Sequence, residues 1–125
     1  MSTLLIIDDD YVVLDLLREA LTLEGFDIVS ASSGLEGLEK LIKGKPDLVL
    51  LDIMMPHLDG YEVCKKIKQS PSTSNIPIIF VSAKAQPEDI EIGVSLGADD
   101  YVTKPFDFKD LAQRIRSVLE KYGRK

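Results

Sequence analysis

Five short aliphatic runs, each followed by a stretch with helical periodicity, limit what this chain can fold into. The runs occupy residues 4–7, 27–31, 48–51, 76–81 and 100–103. Strands that alternate with helices build a parallel sheet with right-handed crossovers and helices on both faces. The first and third runs, Leu4-Leu5-Ile6-Ile7 and Leu48-Val49-Leu50-Leu51, are aliphatic throughout, as strands buried on both faces require. The pattern predicts a doubly wound α/β domain of five parallel strands and five helices, in the order 2-1-3-4-5.

The helices carry their own signals. Val13, Leu17 and Leu21, beside Leu16, Ala20 and Leu23, predict an amphipathic first helix ended by Gly25. Ser33 with Glu36 reads as a capping box for a second helix with the stripe Leu35, Leu38, Leu41 and Ile42, stopped by Gly44 and Pro46. Asp59 and Glu62 open the third, which runs through Val63 and Ile67, turns Lys65, Lys66 and Lys68 outward and takes Cys64 as a small core residue. Pro77 falls near the start of the fourth strand, where proline is tolerated. Pro87, Glu88 and Asp89 suit the first turn of the fourth helix and Gly97 its end. There Ile90, Ile92, Val94 and Leu96 alternate with period two, so one apolar pair is expected outside, either Ile90 with Val94 or Ile92 with Leu96. The last helix should turn Phe108, Leu111, Ile115, Leu119 and Tyr122 inward and close on Lys121, Arg124 and Lys125, cations that suit its dipole.

Composition removes several functions. The 125 residues suit one domain, 1–125, and no apolar stretch nears the roughly 18 residues of a membrane span. Met1-Ser2-Thr3 leads straight into a strand, which predicts no signal peptide. Cys64 is the only cysteine, so neither a disulfide within the chain nor a cysteine zinc cluster is expected, and a reducing, cytoplasmic setting fits. A formal charge of −6 argues against nucleic-acid binding by this domain and suits one that handles cations.

In open α/β sheets ligands bind beyond the carboxyl ends of the strands. Asp8 and Asp9 follow strand 1, Asp52 follows strand 3, Ser82 follows strand 4 and Lys104 follows strand 5. Converging carboxylates repel unless protonated or bridged by a cation, and Mg2+ with oxygen ligands and an open side is the natural answer. A hydroxyl and an ammonium on neighbouring strands could then hold phosphoryl oxygens, so the set reads as a phosphoryl-transfer site. Asp10 reads as the N-cap of the first helix. His57, the only histidine, stands in a short loop after Pro56 and reads as solvated.

These residues carry a family resemblance. Asp8-Asp9, Asp52 in Asp-Ile-Met-Met-Pro-His-Leu-Asp-Gly, Ser82-Ala83, and Tyr101-Val102-Thr103-Lys104-Pro105-Phe106 resemble the receiver domains of bacterial two-component response regulators. Within that family the chain is similar to the chemotaxis-type, CheY-like single-domain regulator, over essentially its whole length. The resemblance implies that Asp52 is the phospho-acceptor, supplied by a sensor histidine kinase or a histidine phosphotransfer protein. It implies Mg2+ held by Asp8 and Asp9, Asp9 the more direct ligand, with Asp52 and the backbone carbonyl of Met54. Lys104 would pair with the phosphoryl group, and the Ser82 hydroxyl and Ala83 amide would bind its oxygens. The Lys104–Pro105 bond would be cis, aiming Lys104 inward, while Met54 and Lys84 would tune how fast the phosphoryl group is lost. Ser82 and Tyr101 would form the switch: Ser82 drawn in, the Tyr101 ring rotating inward, and the face of helix 4, strand 5 and helix 5 repacking for an effector or a dimer partner. Such a domain is a regulatory phospho-acceptor rather than an enzyme, promoting its own phosphotransfer and autodephosphorylation.

Three rivals share parts of the pattern. A haloacid-dehalogenase-type phosphatase also uses an aspartate nucleophile with Mg2+, but needs a second aspartate two residues on, where this chain has Met54. A flavodoxin-type electron carrier shares the flavodoxin-like architecture but needs a hydroxyl- and glycine-rich loop where Asp8, Asp9 and Asp10 stand. A receiver-like module that binds partners without phosphorylation would not need the full residue set.

Overall fold

The computed structural model describes residues 2–123. Along the chain β1 (Thr3–Ile7), α1 (Tyr11–Leu23), β2 (Asp27–Ala31), α2 (Gly34–Gly44), β3 (Leu48–Leu51) and α3 (Gly60–Gln69) are followed by β4 (Ile78–Ser82), α4 (Pro87–Ser95), β5 (Asp100–Thr103) and α5 (Phe108–Lys121). Neighbouring strands are all parallel, in the order β2-β1-β3-β4-β5. This is the expected doubly wound α/β fold.

Successive strand residues point to opposite faces, and both faces here are covered. Leu4, Ile6, Leu48 and Leu50 pack with Leu14, Leu17 and Leu21 of α1 and Leu111, Ile115 and Leu119 of α5. Leu5, Ile7, Val49 and Leu51 pack on the other side with Leu41 of α2, Val63, Cys64 and Ile67 of α3, and the rings of Phe80 and Tyr101. Two buried faces explain why β1 and β3 are aliphatic without alternation.

Strand register then positions the site. Ile7 pairs with Leu51, so Asp8 and Asp52 emerge side by side, the Asp52 amide donating to the Ile7 carbonyl at 3.0 Å. Ser82 pairs with Thr103, and the Lys104 amide donates to the Ser82 carbonyl at 2.9 Å.

Several local expectations are corrected. The fourth strand begins at Ile78 and ends at Ser82, because Pro77 has no amide to donate; its carbonyl accepts from Val49 at 3.0 Å instead. Ser33 does cap α2, accepting from the Glu36 amide at 3.1 Å, but the Glu36 carboxylate turns to the Ser32 amide at 2.6 Å, so the reciprocal bond lands one residue earlier. Asp59 and Glu62 form the full reciprocal box, at 2.9 and 3.0 Å.

The stripes on α1 and α2 are narrower than their leucines suggest: Leu16, Leu23, Leu35 and Ile42 are exposed. On α2 the seat is glycine, with Gly34 and Gly37 buried beside Leu41, and a Cβ on Gly37 would lie 2.7 Å from Ile7 Cγ1. α4 behaves the same way and fits neither expected pairing. Its one buried residue is Gly93, while Ile92 and Val94 are both exposed and Ile90 and Leu96 are partly buried. At about 100° per residue, Ile92 and Val94 flank Gly93 on opposite sides while Ile90 and Leu96 fall about 60° from it. The period-two signal is thus a helix straddling a glycine contact.

On α5, Leu111, Ile115 and Leu119 are buried as expected, joined by Ala112 and Val118, whereas Phe108 and Tyr122 remain partly exposed. The Tyr122 hydroxyl donates to Asp99 at 2.7 Å. Arg124 and Lys125, expected to close this helix, lie outside the described residues. Among the described residues no helix is long and apolar enough to cross a membrane.

Cys64 is fully buried, its Sγ 3.7 Å from the Leu96 carbonyl, and burial pushes its thiol up to about 11. A buried, protonated thiol is inert. Thiol reagents at mildly alkaline pH should therefore label Cys64 no faster than the domain unfolds; rapid native-state labelling would contradict this packing.

Candidate functional site

Asp8, Asp9 and Asp52 converge beyond the carboxyl ends of β1 and β3, with one carboxylate oxygen of each within 4.8 Å of the others. Asp8 and Asp52 are buried, at 2% and 6% exposure, while Asp9 faces solvent. The cluster therefore has two fixed walls and one open side. Asp10 does not join it: its side chain accepts from the Val12 and Val13 amides as the N-cap of α1.

Backbone amides orient the buried pair. Asp8 Oδ1 accepts from the Asp10 amide at 3.0 Å. Asp52 Oδ1 accepts from Ile53 at 2.8 Å and from Met54 at 3.4 Å, leaving Oδ2 toward Lys104. The Met54 side chain is exposed at the mouth of the site. His57, exposed in the same loop, has a left-handed backbone with φ 70°.

Lys104 crosses the crevice from β5. Its Nζ lies 2.8 Å from Asp8 Oδ2 and 3.7 Å from Asp52 Oδ2, and the Lys104–Pro105 peptide is cis. Burial works against the ammonium, but the hydrogen bond to Asp8 and the field of Asp52 prevail and raise its pKa, so it stays charged. Ser82, fully buried at the end of β4, accepts from the Lys84 amide at 3.3 Å, and Ala83 beside it is exposed. The Tyr101 ring is inward and buried, its hydroxyl donating to the Lys84 carbonyl at 2.6 Å. Burial, with Tyr61, Asp89 and Asp52 nearby, pushes that phenol up to about 12, so it remains a donor.

Burial and then the Asp8 charge raise the pKa of Asp52, against the pull of Lys104, the Ser82 hydroxyl and the Met54 amide. Folding therefore favours the protonated form, a contribution complete below the ordinary value of 3.8 and lost as pH rises through the higher folded value. At neutral pH the ionised group costs stability, and Asp52→Asn should gain about 1 kcal/mol in urea unfolding. The gain should vanish below pH 3.8; a variant no more stable than the parent at neutral pH would contradict the repulsion.

Three features carried no sequence signal. The Lys84 carbonyl matters through its backbone alone, so no side chain advertises it. Gly93 lacks a side chain to read. Asp8 and Lys104 are ninety-six positions apart, and only the assembled sheet shows which acid takes the ammonium.

The sequence pattern of the response regulator receiver domain matches residues 4–116. The chain belongs to that family. The receiver is 43% identical over 119 residues to the transcriptional regulatory protein CseB of Streptomyces coelicolor, covering 95% of this chain and 50% of that protein. It is 41% identical over 118 residues to the alkaline phosphatase synthesis transcriptional regulatory protein PhoP of Bacillus subtilis, covering 94% and 48%. The receiver thus spans about half the length of the curated relatives it matches. Among solved structures, the CheY-like receiver domain protein of Methanospirillum hungatei superposes with a TM-score of 0.92 at 30% identity, over 98% of this chain and 97% of that one. The signal receiver domain of a signal transduction histidine kinase from Syntrophus aciditrophicus gives 0.91 at 30% identity, over 100% and 95%. A response regulator receiver is a phosphorylation-activated signalling domain, and this chain is one.

Proposed function

We propose that Asp52 accepts the phosphoryl group, from a phosphohistidine of a sensor histidine kinase or a histidine phosphotransfer protein. The observation that carries this is the convergence of Asp8, Asp9 and Asp52 within 4.8 Å, with Lys104 across the crevice. With Oδ1 held by two amides, Asp52 Oδ2 attacks phosphorus in line; the P–N bond to the donor imidazole breaks, and the leaving nitrogen keeps the electron pair.

Hard carboxylate oxygens on two fixed walls and one exposed side fit Mg2+, which takes few protein ligands and keeps open positions. Asp8, Asp9, Asp52 and the Met54 backbone carbonyl would hold it, and when bound it would offset the clustered charge and that of the phosphoryl oxygens. Lys104 would then exchange part of its contact with Asp8 for a phosphoryl oxygen, while the Ser82 hydroxyl and Ala83 amide take the others. The aspartyl phosphate is later hydrolysed by the domain itself, without a general acid at position 54, and exposed Met54 and Lys84 screen the water that attacks it.

The new charge, roughly −1.5 to −2, draws on Ser82 and on the Tyr101–Lys84 contact, biasing the face of α4, β5 and α5 for an effector or a second copy. Residues 1–125 form the receiver unit, cytoplasmic and without nucleic-acid contacts of its own. Since CseB and PhoP are named as transcriptional regulators about twice as long, we place this receiver in a longer protein with a transcriptional output.

Incubation with Mg2+ and acetyl phosphate or phosphoramidate should add one phosphoryl group per chain by intact mass, and Asp52→Asn should abolish it. Catalytic turnover of many phosphate esters per chain would instead support a phosphatase.

A further inference from the structure

We infer that Gly93 is the positioning residue that lets Tyr101 hold the β4–α4 loop beside the acidic cluster, so that a side chain at 93 drives ring and loop apart. The inference rests on the phospho-acceptor reading above and deepens it, adding a residue that controls how well the site is formed.

α4 rests on the sheet through Gly93, its one buried residue. A Cβ there would lie 3.1 Å from Phe80 Cδ2, 3.1 Å from Tyr101 Cδ2 and 3.3 Å from Phe80 Cε2. Such contacts are too tight for carbon atoms, which pack at about 3.5–4.0 Å, so something must yield. Phe80 has nowhere to go: it is fully buried in β4, edge-on to Tyr61 at 5.7 Å and 5.9 Å from Tyr101. Tyr101 stands on β5, the edge strand, and retains 9% exposure, so the displacement falls on its ring or lifts α4 away from it.

Either movement, of a few tenths of an ångström, pulls on the same chain of bonds. The Tyr101 hydroxyl donates to the Lys84 carbonyl at 2.6 Å, and the Lys84 amide donates to Ser82 Oγ at 3.3 Å. The inward ring thus anchors the Ser82–Ala83–Lys84 segment from below. The first turn of α4 is tied to the same loop by the Lys84–Asp89 ion pair at 3.9 Å, and the Tyr61 hydroxyl donates to the Asp89 carbonyl at 3.3 Å. Ring, loop and helix form one unit whose seating depends on the space left at Gly93.

The test is Gly93→Ala in the full chain carrying 3-fluorotyrosine, with the Tyr101 fluorine signal assigned by Tyr101→Phe. Alanine favours helix over glycine, so a purely local role would leave α4 more stable and the site unchanged. We expect the Tyr101 signal to move toward that of a solvent-exposed ring, and the affinity for beryllofluoride with Mg2+ to fall about tenfold as the competent population drops. In a Tyr101→Ala background the added Gly93→Ala should cost nothing further. An unmoved Tyr101 signal with unchanged affinity overturns the proposal, as does an equal loss in the Tyr101→Ala background, which would place the effect on Phe80. Should Gly93→Ala not fold, the double variant, relieved of the ring, is expected to fold, and its failure to do so also overturns the proposal. If the parent chain binds no beryllofluoride, the acceptor reading fails, while the fluorine signal still reports on Gly93.

Discussion

Replacing Gly60 by alanine is expected to destabilise the domain by about 3 kcal/mol, as overpacking against a rigid neighbour does. Gly60 is the first residue of α3, and its amide donates to the Ile53 carbonyl at 2.9 Å, folding the β3–α3 loop back on itself. A Cβ there would run into the Asp52 carbonyl oxygen and lie 2.7 Å from Ile53 Cα and 2.9 Å from the Asp52 carbonyl carbon. These are backbone atoms, so no side chain can swing aside. Relief requires moving the segment that carries Asp52, so the variant should lose phosphoryl acceptance along with stability. Gly44→Ala is the matched control, because a Cβ at the end of α2 meets nothing within 4 Å and should add up to about 1 kcal/mol. Urea unfolding of the two variants checks the pair; equal midpoints would refute the close approach at Gly60.

The second large effect is expected at Lys104. Lys104→Met removes the cation 2.8 Å from the buried Asp8 carboxylate and 3.7 Å from Asp52. A buried charge left without its partner costs about 3 kcal/mol, more than the pair itself contributes. Lys104 has a raised pKa, so its contribution is complete below its ordinary value of 10.5 and is lost only as pH rises through the folded value. The loss should therefore be large at neutral pH. It should shrink in acid, because without Lys104 the repulsion from Asp8 raises Asp52 further and lets it take a proton. Mg2+ should stabilise the variant more than the parent, since it no longer competes with an ammonium for the same oxygens, and saturation at a hundred times Kd supplies about 2.7 kcal/mol. Thermal melts with EDTA and with Mg2+ give both numbers; a variant as stable as the parent in EDTA would show that Lys104 does not offset the carboxylates.

Much of this arrangement is legible in the sequence, for a physical reason. A buried strand that ends on a polar residue must deliver that residue to the sheet edge. Asp8, Asp52, Ser82 and Lys104 are read correctly as neighbours because strand order and parallel pairing are legible from the β-α alternation. The misplaced apolar residues of α2 and α4 share a cause as well. Leu35, Ile42, Ile92 and Val94 are apolar yet exposed, because α2 and α4 seat on Gly37 and Gly93, which present no hydrophobic signal. Periodicity reports where side chains lie and is blind to contacts made by their absence. The position of Glu36, bonded to Ser32 rather than Ser33, turns on a side-chain torsion that spacing cannot resolve.

The central claim is that Asp52, and not Asp8 or Asp9, carries the phosphoryl group. After incubation with acetyl phosphate and Mg2+, borohydride reduces an aspartyl phosphate to homoserine, and peptide mass mapping locates it. Homoserine at position 52 alone, absent when EDTA replaces Mg2+, is the predicted result. Homoserine at position 8 or 9, or phosphoryl incorporation that persists in Asp52→Asn, would contradict it.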